Sequence, residues 1–172
     1  MEQTTQEQLA SVAPFVQPAL CRLAQLAALP TDWDSYGAAP PSLLAASTAR
    51  ELLLAVDEQF GHAVGERVQP YAVAPIAGGG IQLEWRGPRA EIEVEIDSAG
   101  QLGYLVVAKQ GGERTFEERD NLVRAEVVTA VARVLFPDNA AHSLIEGENS
   151  RARSRLLAEA ISAAVQPTPR AQ

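Results

Sequence analysis

Two stretches of this chain hold residue types at spacings that could do chemistry. In Asp32-Trp33-Asp34-Ser35-Tyr36-Gly37, two carboxylates at alternate positions precede a glycine, as at the start of a calcium loop. The match then fails. An EF-hand loop requires an oxygen ligand at position 36 and a carboxylate at position 43, where Tyr36 and Leu43 stand. The competing reading is structural: Asp32 or Asp34 caps neighbouring backbone amides, Trp33 and Tyr36 plug the core, and Gly37 supplies a positive φ. Trp33, Asp34, Tyr36 and Gly37, with Trp85 on a later strand, then form a structural motif, and neither a metal nor another cofactor is expected.

The second stretch is the array Glu84, Glu91, Glu93 and Glu95, whose carboxylates would project from one face of a small sheet. One reading makes them the solvated face that keeps a hairpin from aggregating. The other makes them an acidic patch for a basic partner, steering encounter and setting specificity more than affinity. Leu105 and Val107 share the phase of that face, which is therefore partly apolar, and an apolar spot rimmed by charge has the character of a docking surface.

Other reactive residue types lack a setting. Gly78-Gly79-Gly80 precedes a strand without a following Gly-Lys-Ser/Thr, so it reads as a flexible turn and not a phosphate cradle. His62 and His142 fall at a helix end and in a linker with no nucleophile motif beside them. Cys21 lies next to Leu20 on the apolar side of a helix, as a small buried hydrophobe does.

The elements that must position these residues follow from periodicity. Ile81, Leu83 and Trp85 alternate with Gln82, Glu84 and Arg86, and after Gly87-Pro88 the residues Ile92, Val94 and Ile96 alternate with glutamates. A hairpin results, and the register placing Leu83 opposite Val94 also sets Arg86 opposite Glu91, an opposite-charge pair that favours it. Asp97-Ser98-Ala99-Gly100 is a turn into a third strand carrying Leu102, Tyr104 and Val106. Residues 70–76 can add an edge strand, confined there by Pro70 and Pro75, and Arg114–Glu117 another after Gly111-Gly112.

Helices are expected at 1–13, from Pro18 to about Leu29, at 42–60 and at 119–135. Their apolar stripes are Leu20, Leu23, Ala24, Leu26 and Ala27 in the second, Leu44, Thr48, Leu52, Val56 and Phe60 in the third, and Leu122, Val123, Val127, Val131 and Val134 or Leu135 in the fourth. Gly61 is placed to end the third. A last amphipathic helix over 151–165 presents Leu156, Leu157, Ala160, Ile161, Ala164 and Val165.

The fold expected is therefore α+β: an antiparallel β-meander of three to five strands packed against amphipathic helices, with a C-terminal helix on a linker. The layout reads as an N-terminal helical extension over 1–16, an α+β core over 17–137, and a linker, helix and frayed tail over 138–172. The 172 residues suit one core with tails, and 47% apolar with 21% charged residues is a globular balance. A net charge of −8 argues against direct binding of nucleic acid, which needs clustered Lys and Arg. No apolar run reaches the roughly 18 residues of a membrane span. A lone cysteine and the lack of a charged-then-apolar leader point to the cytoplasm.

Residues 29–38, Leu-Pro-Thr-Asp-Trp-Asp-Ser-Tyr-Gly-Ala, and Gly80-Ile81-Gln82-Leu83-Glu84-Trp85 resemble a group of small bacterial proteins that share a W-D-x-Y-G-A loop and a later G-x-x-x-E-W strand. The likeness spans about residues 29–107 and implies no activity, because the group has no assigned function. The function expected is a non-catalytic interaction module, such as an accessory or neutralising subunit of a bacterial two-component system that binds a more basic protein. Its contact residues would be Glu84, Glu91, Glu93, Glu95, Leu105 and Val107 on the sheet and Leu157 and Ile161 on the last helix. The alternatives are a metal-dependent hydrolase built on Asp32, Asp34 and Glu84, and a structural component that self-assembles through its terminal helices.

Overall fold

The computed structural model describes residues 15–137. The helix expected at 1–13 and the linker and helix expected over 138–172, with Leu157 and Ile161, lie outside the described residues. Within them the strands Ala72–Ile76 (β1), Gly80–Arg86 (β2), Ala90–Ile96 (β3), Leu102–Gln110 (β4) and Glu113–Leu122 (β5) form one antiparallel sheet in sequence order. Three helices accompany it: Gln17–Ala27 (α1), Leu43–Val64 (α2) and Arg124–Leu135 (α3), with a 3-10 turn at Gly65–Val68. The architecture is α+β, a five-stranded meander packed with helices.

The strict alternation in β2 and β3 sorts their residues onto two faces. Leu83 pairs with Val94 and Arg86 with Glu91, the register that the charge pair favours. Ile81, Leu83, Trp85, Ile92, Val94 and Ile96 are fully buried, joined by Leu102 and Tyr104 of β4. The Trp85 indole N–H donates to the Val68 carbonyl at 2.8 Å, so the largest core side chain carries no unmet donor. Helices α2 and α3 cover this face through Ala45, Ala49, Leu52, Leu53, Val56, Val127, Val131 and Val134. Burying each large side chain contributes roughly 1.5–3 kcal/mol.

Several helix faces differ from the expected stripes. In α2 the buried line runs through Ala45 and Ala49, while Leu44 is 55% exposed. Alanines let the helix axis approach the sheet closely, which no count of large residues reveals. Gly61 does not end this helix. It lies inside, where a Cβ would meet the Asp57 carboxylate at 2.9 Å, and Gly65, at φ 58°, makes the stop. In α1 the buried residues are Ala19, Leu23 and Leu26, whereas Ala24, Ala27 and Cys21 are exposed. Cys21 stands two residues from both Ala19 and Leu23, about 200° around the helix from each, so it cannot share their side.

The fourth expected helix starts late. Residues 119–122 belong to β5, and α3 begins at Arg124, where the Glu126 carboxylate accepts the Val123 N–H at 3.1 Å. Val123 therefore flanks the helix and is 64% exposed. Arg124 of α3 reaches Glu51 of α2 at 2.7 Å, tying the two helices to each other on one face of the sheet.

Candidate functional site

The loop ahead of α2 is built by its own carboxylates. Asp34 Oδ1 accepts the N–H groups of Tyr36 at 2.8 Å and Ala38 at 3.0 Å, and Asp32 Oδ1 accepts that of Gly37 at 2.6 Å. Those bonds hold the chain in a tight coil with Asp32, Ser35 and Gly37 all at positive φ. The backbone donors to Asp34 also keep its carboxyl below the ordinary range, Tyr36 first and then Ala38. Trp33 is half-buried, and its indole N–H donates to the Ala39 carbonyl at 3.0 Å.

Tyr36 does not plug the core. It is 94% exposed, because the coil turns Ala38 inward in its place. The remainder of the loop is bolted to the sheet, with Ala39 N–H donating to the Ala77 carbonyl and Ser42 N–H to that of Gly79. Both aspartates thus serve the backbone. Glu84 sits on β2, accepting the Tyr71 hydroxyl and the Gln82 amide. Among the described residues, no three His, Cys, Asp or Glu side chains gather closely enough to hold a metal, so Asp32, Asp34 and Glu84 are not brought together as a metal-holding set.

The structure does bring the other candidates together. On the face of the sheet turned away from α2 and α3, β3 presents Glu91, Glu93 and Glu95, β2 presents Glu84 opposite Glu93, and β4 presents Val107 opposite Glu91 and Leu105 opposite Glu93. Residues of this outer face stay exposed or half-buried, with no described element lying over them. Its carboxylates are not equivalent. Glu91 pairs with Arg86 at 2.9 Å, and Arg86 also stacks over the Tyr71 ring at 4.6 Å. Glu93 has no ion pair among the described residues. Partial burial pushes its carboxyl up from the usual range, and Glu84, Glu95 and Glu91 push in the same direction.

Strand β5 enlarges the face beyond the residues anticipated. Phe116, 66% exposed, lies opposite Val107, and Glu118 lies opposite Leu105. Gly103, lacking a side chain, opens a notch of about 100 Å³ that is lined by Glu93, Glu95, Leu105, Glu118 and Asp120. Phe116, Glu118 and Asp120 have no period-two apolar signal to announce them, since both faces of β5 are polar. The readable clue is Phe116, one large apolar residue two places after Arg114 in a segment following a Gly-Gly turn.

Behind β5 the inward face is locked. The Tyr104 hydroxyl donates to Glu117 at 2.5 Å, and Arg133 of α3 reaches both Glu117, at 3.1 Å, and the Tyr104 oxygen, at 3.3 Å. The Tyr104 bond and then Arg133 hold Glu117 below its usual range against the desolvation that would raise it. No helix among the described residues is long and apolar enough to cross a membrane. No family model, curated protein or solved structure matches this chain.

Proposed function

We propose that this protein is a non-catalytic interaction module whose outer sheet face receives a more basic protein, in the manner of an accessory or neutralising subunit of a bacterial two-component system. The observation that carries this reading is the outer face itself, which no described element covers. Four glutamates on two adjacent strands adjoin Leu105, Val107 and Phe116, and one of them, Glu93, sits among like charges with no ion pair among the described residues. A guanidinium or ammonium placed at the Gly103 notch would relieve that repulsion, and the apolar residues would supply area to desolvate.

The test is capture from the native host with the full chain and with a variant carrying Glu84→Gln, Glu93→Gln and Glu95→Gln. The expected result is one stoichiometric, basic partner retained by the natural sequence and lost by the variant, with binding that weakens as salt rises. A partner held equally by both, or none retrieved by either at low salt, would remove the basis for the proposal.

A further inference from the structure

Strand β5 forms one edge of the sheet, with no further described strand beside it, and every residue from Glu113 to Asn121 is exposed. The direction of its backbone groups can be traced from the hairpins. Gly87 N–H donates to the Ala90 carbonyl at 2.8 Å, and Lys109 N–H donates to the Arg89 carbonyl at 3.0 Å. In an antiparallel ladder both backbone groups of a residue point to one side, and successive residues alternate. Lys109, Val107 and Leu105 therefore turn theirs to β3, and Ala108 and Val106 turn theirs to β5. Thr115 and Glu117, opposite Ala108 and Val106, turn back to β4. Arg114, Phe116 and Glu118 are left with amides and carbonyls directed out of the sheet. The other edge offers less, since β1 has only five residues and includes Pro75, which has no N–H.

We propose that β5 pairs antiparallel with β5 of a second copy of this chain, about a two-fold axis through Phe116, to give one continuous sheet. Charge complementarity selects both the occupant and the register. With the axis at Phe116, Arg114 faces the partner's Glu118, Glu113 faces the partner's Arg119, Phe116 faces the partner's Phe116 and Thr115 faces the partner's Glu117; symmetry repeats each contact. Shifting the axis to Thr115 sets Glu113 against the partner's Glu117. Placing it on Glu117 or Glu118 sets that glutamate against itself, and placing it on Arg114 or Arg119 does the same to an arginine. Like charges directly opposite destabilise a ladder, so among axes from Arg114 to Arg119 one register survives.

Two features of the single chain fit this pairing. Arg114 lies opposite Lys109 on β4, and neither Arg114 nor Glu118 has an ion pair among the described residues. The pairing gives each an opposite charge. Phe116 is an exposed aromatic beside Val107, and the axis continues that apolar row from one copy to the next. Because the axis stands perpendicular to the sheet, the two acidic faces lie on the same side. The inference does not depend on the proposed basic partner and would stand without it.

Sedimentation equilibrium of the full chain over a wide concentration range tests the pairing, with circular dichroism to establish that each variant is folded. The natural sequence should form a reversible dimer. Arg114→Glu and Glu118→Arg should each weaken it about tenfold or more, because each acts at two symmetric contacts, and the double exchange should restore it. Amide exchange on the natural chain supplies a second readout: the N–H groups of Arg114, Phe116 and Glu118 should gain protection as concentration rises. A chain that stays monomeric throughout, a dimer indifferent to both single exchanges, or a double exchange as weak as the singles would overturn the proposal.

Discussion

Asp57 offers the sharpest quantitative test of the fold. It is 3% exposed on the core side of α2, and its Oδ1 is buried with no hydrogen-bond partner among the described residues. Gly61, one turn on, leaves the space the carboxylate occupies. Burial raises its pKa above the ordinary 3.8, and the charge of His62 opposes the rise only in part. A raised folded pKa makes the linkage sign definite: the group's contribution is fully present below 3.8 and is lost as pH climbs through the raised value. Asp57→Asn keeps the shape and removes the ionisation, so the gain should be near zero at the acid end and reach its plateau at neutral pH. Every tenfold by which folding weakens the acidity of this carboxyl is worth about 1.4 kcal/mol on that plateau. Asp57→Leu also removes the unmet acceptor, and a buried unsatisfied polar group costs roughly 1–3 kcal/mol. For a core of this size a kilocalorie moves Tm by roughly 3–6 °C. Thermal unfolding of both variants across the acid-to-neutral range measures both effects. A neutral-pH Tm at or below the natural protein's for both, or an Asn effect independent of pH, would refute this account of Asp57.

Other expectations can be measured in the same way. Asp34→Ala should lower Tm at neutral pH. Because the folded pKa of Asp34 is depressed, its contribution exists above 3.8 and disappears as pH falls through the lowered value, so the gap should narrow in acid. Glu93→Gln should raise Tm at neutral pH, with the difference closing below 4.5, the sign of a carboxyl whose folded pKa is raised. Tyr104→Phe and Arg133→Ala should each cost about 1 kcal/mol, and a double-mutant cycle should show coupling through Glu117. Gly87→Ala should cost more than about 3 kcal/mol in urea unfolding, since a Cβ there would land on the Val134 backbone carbonyl.

How much of this is legible in the residues varies with what each element buries. The β2–β3 hairpin is readable down to its register, because one face is core, the other is charged, and Arg86–Glu91 breaks the tie. Strand β5 is an edge with polar residues on both faces, so alternation carries no contrast there and only its first few residues stand out. Helix α2 is readable as a helix and at Leu52 and Val56 of its contact face, but not in its first turns, where Ala45 and Ala49 do the packing while Leu43 and Leu44 look outward. The loop is legible at Asp34 and Gly37 and misleading at Tyr36. Two non-glycine residues at positive φ, Asp32 and Ser35, redirect the chain, and residue type alone does not announce that.

The two sets of carboxylates that stand out in the sequence are separated by what surrounds them. Asp32 and Asp34 meet backbone N–H groups, which favour the charged form, and the result is a rigid coil joining α1 to α2. Glu93 meets other carboxylates and partial burial, which disfavour it. A set satisfied within its own loop has little to offer a ligand. Glu93, crowded by its neighbours on a face with no described cover, gains from any cation that arrives, and that difference, rather than the number of acidic residues, favours the sheet as the proposed recognition surface. Strand β5 then supplies what the acidic strand β3 lacks: an aromatic anchor, charges of both signs, and backbone groups directed outward. Its edge suits a second copy, while Glu84, Glu91, Glu93 and Glu95 stand on β2 and β3, so self-association and partner binding would share Phe116 and Glu118 but not those four glutamates.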